Sequence, residues 1–261
     1  VSAAPGPTVL AAFGLTGTPA HLPGGQGRAW RAGGAVLGPA DPVVQRWLAT
    51  EVAAVPQRGF RLPEVLRAAD GRWVVEGWGA QAWVPGHPAS GAGADWAAVL
   101  AAGRSFHVAV APLPRPQFLD GPTDPWSRAD RAAWGEDDVP VPDPVRDLVD
   151  RLRVVPGPGG PTRLVHRDLT GNVLLADGHP PAVIDVTPAW RPVGFAEGVL
   201  VADALVWHDA PADLPRRLGV PMGAVARGLL FRVLTALLVP EHPTSAPALR
   251  RSARVADALG V

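Results

Sequence analysis

Cysteine, lysine and tyrosine are absent from this chain of 261 residues, and asparagine, isoleucine and methionine occur once each. The lack of cysteine excludes disulfides and thiolate chemistry and fits a reducing compartment. The lack of lysine makes arginine carry all 24 basic charges, against 24 acidic ones. With no net charge, no overall field draws the protein to nucleic acid or to an anionic membrane, so a small-molecule partner is expected. Long apolar runs are also missing, since the stretch from Gly228 to Val239 is interrupted by Arg232 and is too short to span a bilayer. The opening VSAAPGPTVLAAFGL carries no positive segment and too short an apolar run for a secretory leader, which makes the cytoplasm the expected location. The depleted residues are those with A/T-rich codons, as a GC-rich coding sequence explains. Against that bias the single asparagine, Asn172, stands out, four residues after Asp168.

What is present suits a folded α+β protein of two lobes that share a cleft. Hydrophobic residues make up 47% and charged residues 18%, enough to bury a core throughout. Residues 1–86 read as five short strands and one helix. The glycine-rich LPGGQGRAW separates the first two strands, a Gly33-Gly34 turn follows, and Asp41-Pro42 opens a helix running to about Val55. Phe60 to Leu66 and Trp73 to Trp78 are expected as the last two strands, joined at Asp70-Gly71. A loose Pro/Gly/Ala stretch from His87 to Gly93 marks the boundary, and residues 87–261 are mainly helical. Within them a short strand from Arg163 to Val165 and a hairpin around Asp177-Gly178 flank the most informative segment.

That segment is LVHRDLTGNVLL followed by AVIDVTP. It places Asp168, Asn172 and Asp185 on loops next to apolar strands, so that rigid elements can converge three oxygen-bearing side chains. Phosphoryl transfer needs such a set: a carboxylate to orient the acceptor hydroxyl, and amide and carboxylate oxygens to hold Mg²⁺ across phosphates. A plainer reading makes Asp168 and Asn172 turn formers after a strand. A metal-dependent hydrolase using His166, Asp168 and Asp185 as ligands is a further alternative.

On these motifs the chain resembles the protein-kinase-like superfamily and, within it, the aminoglycoside phosphotransferase group of small-molecule kinases. The resemblance implies a protein-kinase-like bilobal fold, with a β-rich N-lobe over a mainly helical C-lobe, and an ATP- and Mg²⁺-dependent transfer to a hydroxyl of a small molecule. It implies Asp168 as the catalytic residue, Asn172 and Asp185 as metal ligands, and His166 and Asp203 as structural supports, Asp203 bracing the catalytic-loop backbone. It puts Gly24, Gly25, Gly27 and Arg28 over the nucleotide phosphates, and Trp83 and Val84 at the hinge beside the base. His107, at the end of GRSFHVAV, is expected in the core.

Two departures stand out. Relatives carry a lysine on the third strand, paired with a helix glutamate. Here Gly38 takes that place and Glu51 is left as the helix acid, with Arg28 or Arg31 as substitute cations. Asp168 and Asn172 are separated by three residues where relatives have four, so the loop must tighten, with Gly171 as the residue free to do so. The missing lysine keeps open a pseudokinase that binds nucleotide without turnover. The oligomeric state and the acceptor are not legible in the sequence.

Overall fold

The computed structural model describes residues 3–23 and 27–261. Its first part is an antiparallel sheet of β1 (Ala20–His21), β2 (Trp30–Ala32), β3 (Ala35–Pro39), β4 (Val65–Leu66), β5 (Val74–Val75) and β6 (Trp78–Ala82). The strand order is β1-β2-β3-β6-β4, with β5 also on β6. Ala35 and Leu37 alternate with the more open Val36 and Gly38, so one face of the sheet is dry. That face packs with Ala32, Val75 and Ala80 on Val9 of a short helix, α1 (Pro7–Ala12).

Three expectations are corrected here. α1 was not foreseen, because six residues are too few to show a helical period. The single strand expected from Trp73 to Trp78 is instead a turn between β5 and β6, with positive φ at Glu76 (49°) and Gly77 (79°), as a tight hairpin requires. The strand expected from Phe60 shrinks to β4 plus one bridge from Arg61 to Ala182, since Pro63 supplies no N–H to a ladder. The region thus holds six strands among the described residues rather than five.

Helix α2 (Pro42–Trp47) begins where Asp41 accepts the N–H groups of Val43 and Val44 at 2.8 and 3.1 Å. It continues as a π-helical stretch, Leu48–Val52. Gln45 is buried against the sheet, where Gly79 leaves room for it: a Cβ there would stand 2.9 Å from the Gln45 amide.

The rest of the chain is mainly helical. α3 (Trp96–Val110), α4 (Pro125–Ala133) and α5 (Asp143–Val154) precede four short strands, β8 (Thr162–His166), β9 (Val173–Ala176), β10 (His179–Val183) and β11 (Pro188–Pro192). α6 (Val193–Trp207), α7 (Leu214–Leu218), α8 (Met222–Leu238) and α9 (Ser245–Leu259) follow. β9 pairs with β10 and with β7 (His87–Pro88), a two-residue strand in the stretch expected to be loose. Gly86 admits this pairing, because any Cβ there would meet Leu174 at 2.8 Å. β11 pairs with β8 and was also missed; its terminal prolines make PAWRP read as a loop.

The core centres on α6 and α8. They cross backbone to backbone, since a Cβ on Gly228 would lie 2.5 Å from the Gly198 carbonyl. No helix among the described residues is long and apolar enough to cross a membrane.

Candidate active site

The loop between β8 and β9 is seated from below by α3. Gly103 leaves the space that Leu169 fills, for a Cβ there would stand 2.5 Å from the leucine methyl. One turn later on the same helix face, His107 Nε2 accepts the backbone N–H of His166 at 3.0 Å. His166 is fully buried, and its ring spans the two halves of the motif. Its Nδ1 accepts N–H groups from Asp168 (3.4 Å) and Thr187 (3.2 Å), which leaves Nε2–H to donate to the carbonyl of Ile184 at 3.2 Å. Burial pushes both imidazoles down, His107 to about 3 and His166 to about 4. Both are therefore neutral supports, and His107 lies in the core as expected.

Asp168 follows at the loop's start. Gly171 takes φ 79°, the tightening that the short spacing demands, and returns Asn172 beneath Asp168. The Asn172 amide donates to the Asp168 carbonyl at 2.8 Å and more weakly to Asp168 Oδ2 at 3.5 Å. The Asn172 carbonyl accepts from Ile184 N at 2.9 Å, so Asp185 emerges beside it. Asp185 adopts φ 45°, an uncommon conformation for a residue with a side chain, and one that collects at functional sites. Its carboxylate takes part in no ion pair among the described residues. Protein crowding pushes its pKa up and the charge of Asp168 adds to this, while Arg28 opposes it. Asp185 is thus an under-compensated carboxylate facing the cleft.

Asp168 differs sharply. Burial pushes its pKa up, but the guanidinium of Arg232 outweighs this and holds the carboxyl below its ordinary value, with His166 and Arg167 contributing. Arg232 Nη2 donates to Asp168 Oδ1 at 2.6 Å. The same arginine grips Asp203 two-pronged, through Nε at 2.8 Å and Nη2 at 2.5 Å. Asp203 meets the loop through Arg232, and among the described residues its carboxylate accepts no backbone N–H of the loop. The glycine crossing of α6 and α8 explains why, because it brings Arg232, one turn beyond Gly228, onto the α6 face that carries Asp203.

Arg232 is the residue sequence reasoning missed as functional. A signal existed, since Arg232 and Asp203 are opposite charges in the middle of two helices whose other charges are Arg227 and Glu197 alone, and neither can be buried without the other.

Above the loop, the structure treats the expected nucleotide contacts unevenly. Gly24 and Gly25 lie outside the described residues. Gly27, at φ 63°, is held by His21, whose Nε2 is 3.0 Å from its carbonyl oxygen. Arg28 is exposed and close enough to Asp185 to influence it. Trp83 is 36% exposed and carries the Arg31 guanidinium 4.1 Å above its ring; Val84 follows, half-buried. Gly38 opens on empty space, with nothing within 4 Å of a Cβ, and Glu51 is exposed with no arginine partner among the described residues. Between the lobes, Leu48, Val52 and Gln81 face Ile184 and Asp185 across an open crevice.

Chemically, the set offers one fixed, ionised carboxylate, one free carboxylate and one amide oxygen. Hard oxygen donors of this kind suit Mg²⁺ completed by phosphate oxygens. They do not suit a metal held by protein alone, and no cluster of three His, Cys, Asp or Glu fit to hold an ion occurs among the described residues. The hydrolase alternative also fails on His166, both of whose nitrogens are engaged by backbone groups inside the core. The acidic run at 136–138 is not a free patch either. Glu136 makes a two-pronged pair with Arg191 at 2.7 Å, and Asp137 pairs with Arg131 at 3.2 Å.

Comparison with known proteins gives the family and the fold. The model of the phosphotransferase enzyme family (APH) matches residues 44–189, more than half of the chain and including Asp168, Asn172 and Asp185. A search of curated protein sequences finds no match. Among solved structures, aminoglycoside phosphotransferase APH(4)-Ia is similar over 96% of this chain and 97% of its own, with a TM-score of 0.62 and 16% identity. Spectinomycin phosphotransferase APH(9)-Ia, in complex with ADP and spectinomycin, is similar over 97% and 96%, with a TM-score of 0.56 and 12% identity. A choline/ethanolamine kinase family protein from Mesorhizobium loti is similar over 95% and 90%, with a TM-score of 0.56 and 18% identity. The chain therefore belongs to the phosphotransferase enzyme family, and its fold is the kinase-like fold of the aminoglycoside phosphotransferases.

Proposed function

We propose that this phosphotransferase uses Mg²⁺-ATP to phosphorylate a hydroxyl group of a small molecule. The observation that carries the reading is the contrast between two neighbouring carboxylates. Asp168 is pinned by Arg232 and ionised, while Asp185 has no cation among the described side chains close enough to pair with it. Environments that separate two carboxylates in this way assign them different tasks.

In this reading Asp168 accepts the hydrogen bond of the acceptor hydroxyl and aligns its oxygen for in-line attack. Asn172 and Asp185 hold the metal, which neutralises charge on the phosphates when bound. His166 keeps the two halves of the site in register through Ile184 and Thr187. Residues 1–86 act as the nucleotide lobe and 87–261 as the catalytic and acceptor lobe. Gly24, Gly25, Gly27 and Arg28 meet the phosphates, and the base lies against Trp83 and Val84. The partner is a small molecule rather than nucleic acid or membrane. Because Glu136 and Asp137 are engaged by arginines, polycationic acceptors lack an acidic surface there.

The test compares ATP turnover by the parent protein with that of Asp168→Asn and Asp185→Ala. A loss on the order of 100- to 10,000-fold in the first is expected, and loss of the Mg²⁺ requirement for nucleotide binding in the second. Turnover that survives both changes together removes the proposal. Gly38 favours one second reading, binding without turnover, and Mg²⁺-dependent ATP binding with no hydrolysis over hours selects it.

A further inference from the structure

We propose that Arg232 is a positioning residue for Asp168: it locks the carboxylate into one rotamer, so that Oδ2 alone is presented to the acceptor hydroxyl. The inference rests on the phosphotransferase reading and deepens it. Within the loop itself little restrains the Asp168 side chain, since its one hydrogen bond there is the 3.5 Å contact from Asn172 to Oδ2. The 2.6 Å bond from Arg232 Nη2 to Oδ1 is the short one. It comes from a helix 64 positions away in the chain, in an otherwise apolar segment, GLLFRVLTALL.

Asp203 alone would neutralise a buried arginine through the two-pronged pair it already forms. The third bond, outward to Asp168, goes beyond what neutralisation requires. The guanidinium is itself well anchored. Asp203 is 3% exposed, the ring of Phe231 lies 5.1 Å from the guanidinium carbon, and α6 and α8 touch at Gly198 and Gly228. A planar fork held on one edge by Nε–H and one Nη2–H fixes the direction of the second Nη2–H, which an ammonium on a flexible stem does not do. In-line transfer depends on such alignment, and a displacement of the order of 1 Å costs on the order of 100-fold in rate.

Arg232→Met alone would strand Asp203 as an uncompensated buried charge. The test therefore uses Arg232→Met with Asp203→Asn, beside Arg232→Lys. Two readouts are taken: kcat and KM for ATP turnover, and the Asp168 side chain in crystal structures of each variant. In the double variant we expect kcat to fall on the order of 100-fold with KM for ATP within about twofold of the parent. Asp168 is expected in a second rotamer. Arg232→Lys is expected to lie between the two in kcat. A single, unmoved Asp168 conformer in the double variant overturns the proposal, and so does equal kcat in all three proteins. Should the parent itself turn over no ATP, the phosphotransferase reading falls, while the crystallographic readout still decides whether Arg232 fixes Asp168.

Discussion

Replacing Gly228 with alanine sets two effects of opposite sign against each other. Alanine is the better helix former, by about 0.8 to 1 kcal/mol, and α8 would gain that preference. Against it, the new methyl would lie 2.5 Å from the carbonyl carbon and oxygen of Gly198 and 2.7 Å from the nitrogen of Val199. All three are backbone atoms of α6 and cannot turn aside. Relief to an ordinary contact of 3.4 Å requires the helices to part by 3.4 − 2.5, or about 0.9 Å. Overpacking of this kind costs about 1 to 3 kcal/mol, with backbone on both sides placing it in the upper part of that range. The net expectation is a loss of about 1 to 2 kcal/mol, roughly 2 to 8 °C in Tm for a chain of this size.

The same movement reaches the site. Arg232 stands one turn beyond Gly228, and its bonds to Asp203 measure 2.5 and 2.8 Å. A parting of 0.9 Å takes them to about 3.4 and 3.7 Å, at or past the limit of a useful hydrogen bond. Turnover should therefore fall by more than the fraction unfolded explains. Urea unfolding, read for both midpoint and slope, gives the stability change, and kcat at a temperature well below the transition gives the rest. A Gly228→Ala protein as stable as its parent or more so would refute the reasoning, because helix preference would then have won at a contact that the structure makes too close for a methyl.

Other consequences are independent of that crossing. Gly38→Lys meets nothing within 4 Å and should change stability by no more than about 0.5 kcal/mol. It should tighten Mg²⁺-ATP binding on the order of 10-fold, the low end for a charge-assisted contact. Unaltered affinity in calorimetry would mean that Gly38 does not face the phosphates. The two buried histidines make stability depend on pH with a definite sign. With folded values of about 3 and about 4, below an unfolded value near 6.5, the unfolded chain takes up their protons first. Their contribution is complete above about pH 6.5 and is lost as pH falls, at a slope approaching about 1.4 kcal/mol per pH unit for each. His107→Gln should remove one of these two protons from the slope measured between pH 6.5 and 5, and an unchanged slope counts against a neutral, buried His107.

The parts of the site that sequence alone made legible are those built from neighbours along the chain. Asp168, Gly171 and Asn172 are close because one tight loop makes them so, and Asp185 joins them because β9 and β10 form a hairpin with Val173 opposite Val183. The turn at Gly33 and the cap at Asp41 were legible for the same reason. What stayed hidden is non-local or sub-periodic. Arg232 and Asp203 lie 29 positions apart, and only the packing of α6 on α8 shows that they meet. The seat of Leu169 depends on the absence of a side chain at Gly103, which no pattern in a chain of 30 glycines singles out. α1 and β11 are too short, or too rich in proline, to carry a period of their own.

Arginine in place of lysine changes where positive charge can stand in this cleft. Lateral neighbours in a sheet share a face, so Arg31, Val36 and Gln81 line the cleft side of β2, β3 and β6, two residues along β3 from Gly38. The Arg31 guanidinium stands over Trp83, its carbon 4.1 Å from the ring centroid, in a cation–π contact. A cation committed to Trp83 cannot also stand over Gly38. The remaining arginines follow the same logic. Arg28 bears on Asp185 from outside and Arg232 on Asp168 from inside the C-terminal helices, so each carboxylate of the site is addressed by its own guanidinium from opposite sides. Only the one from inside is close enough to pair. Asp168 therefore has its counter-charge built in, and Asp185 has none among the described side chains.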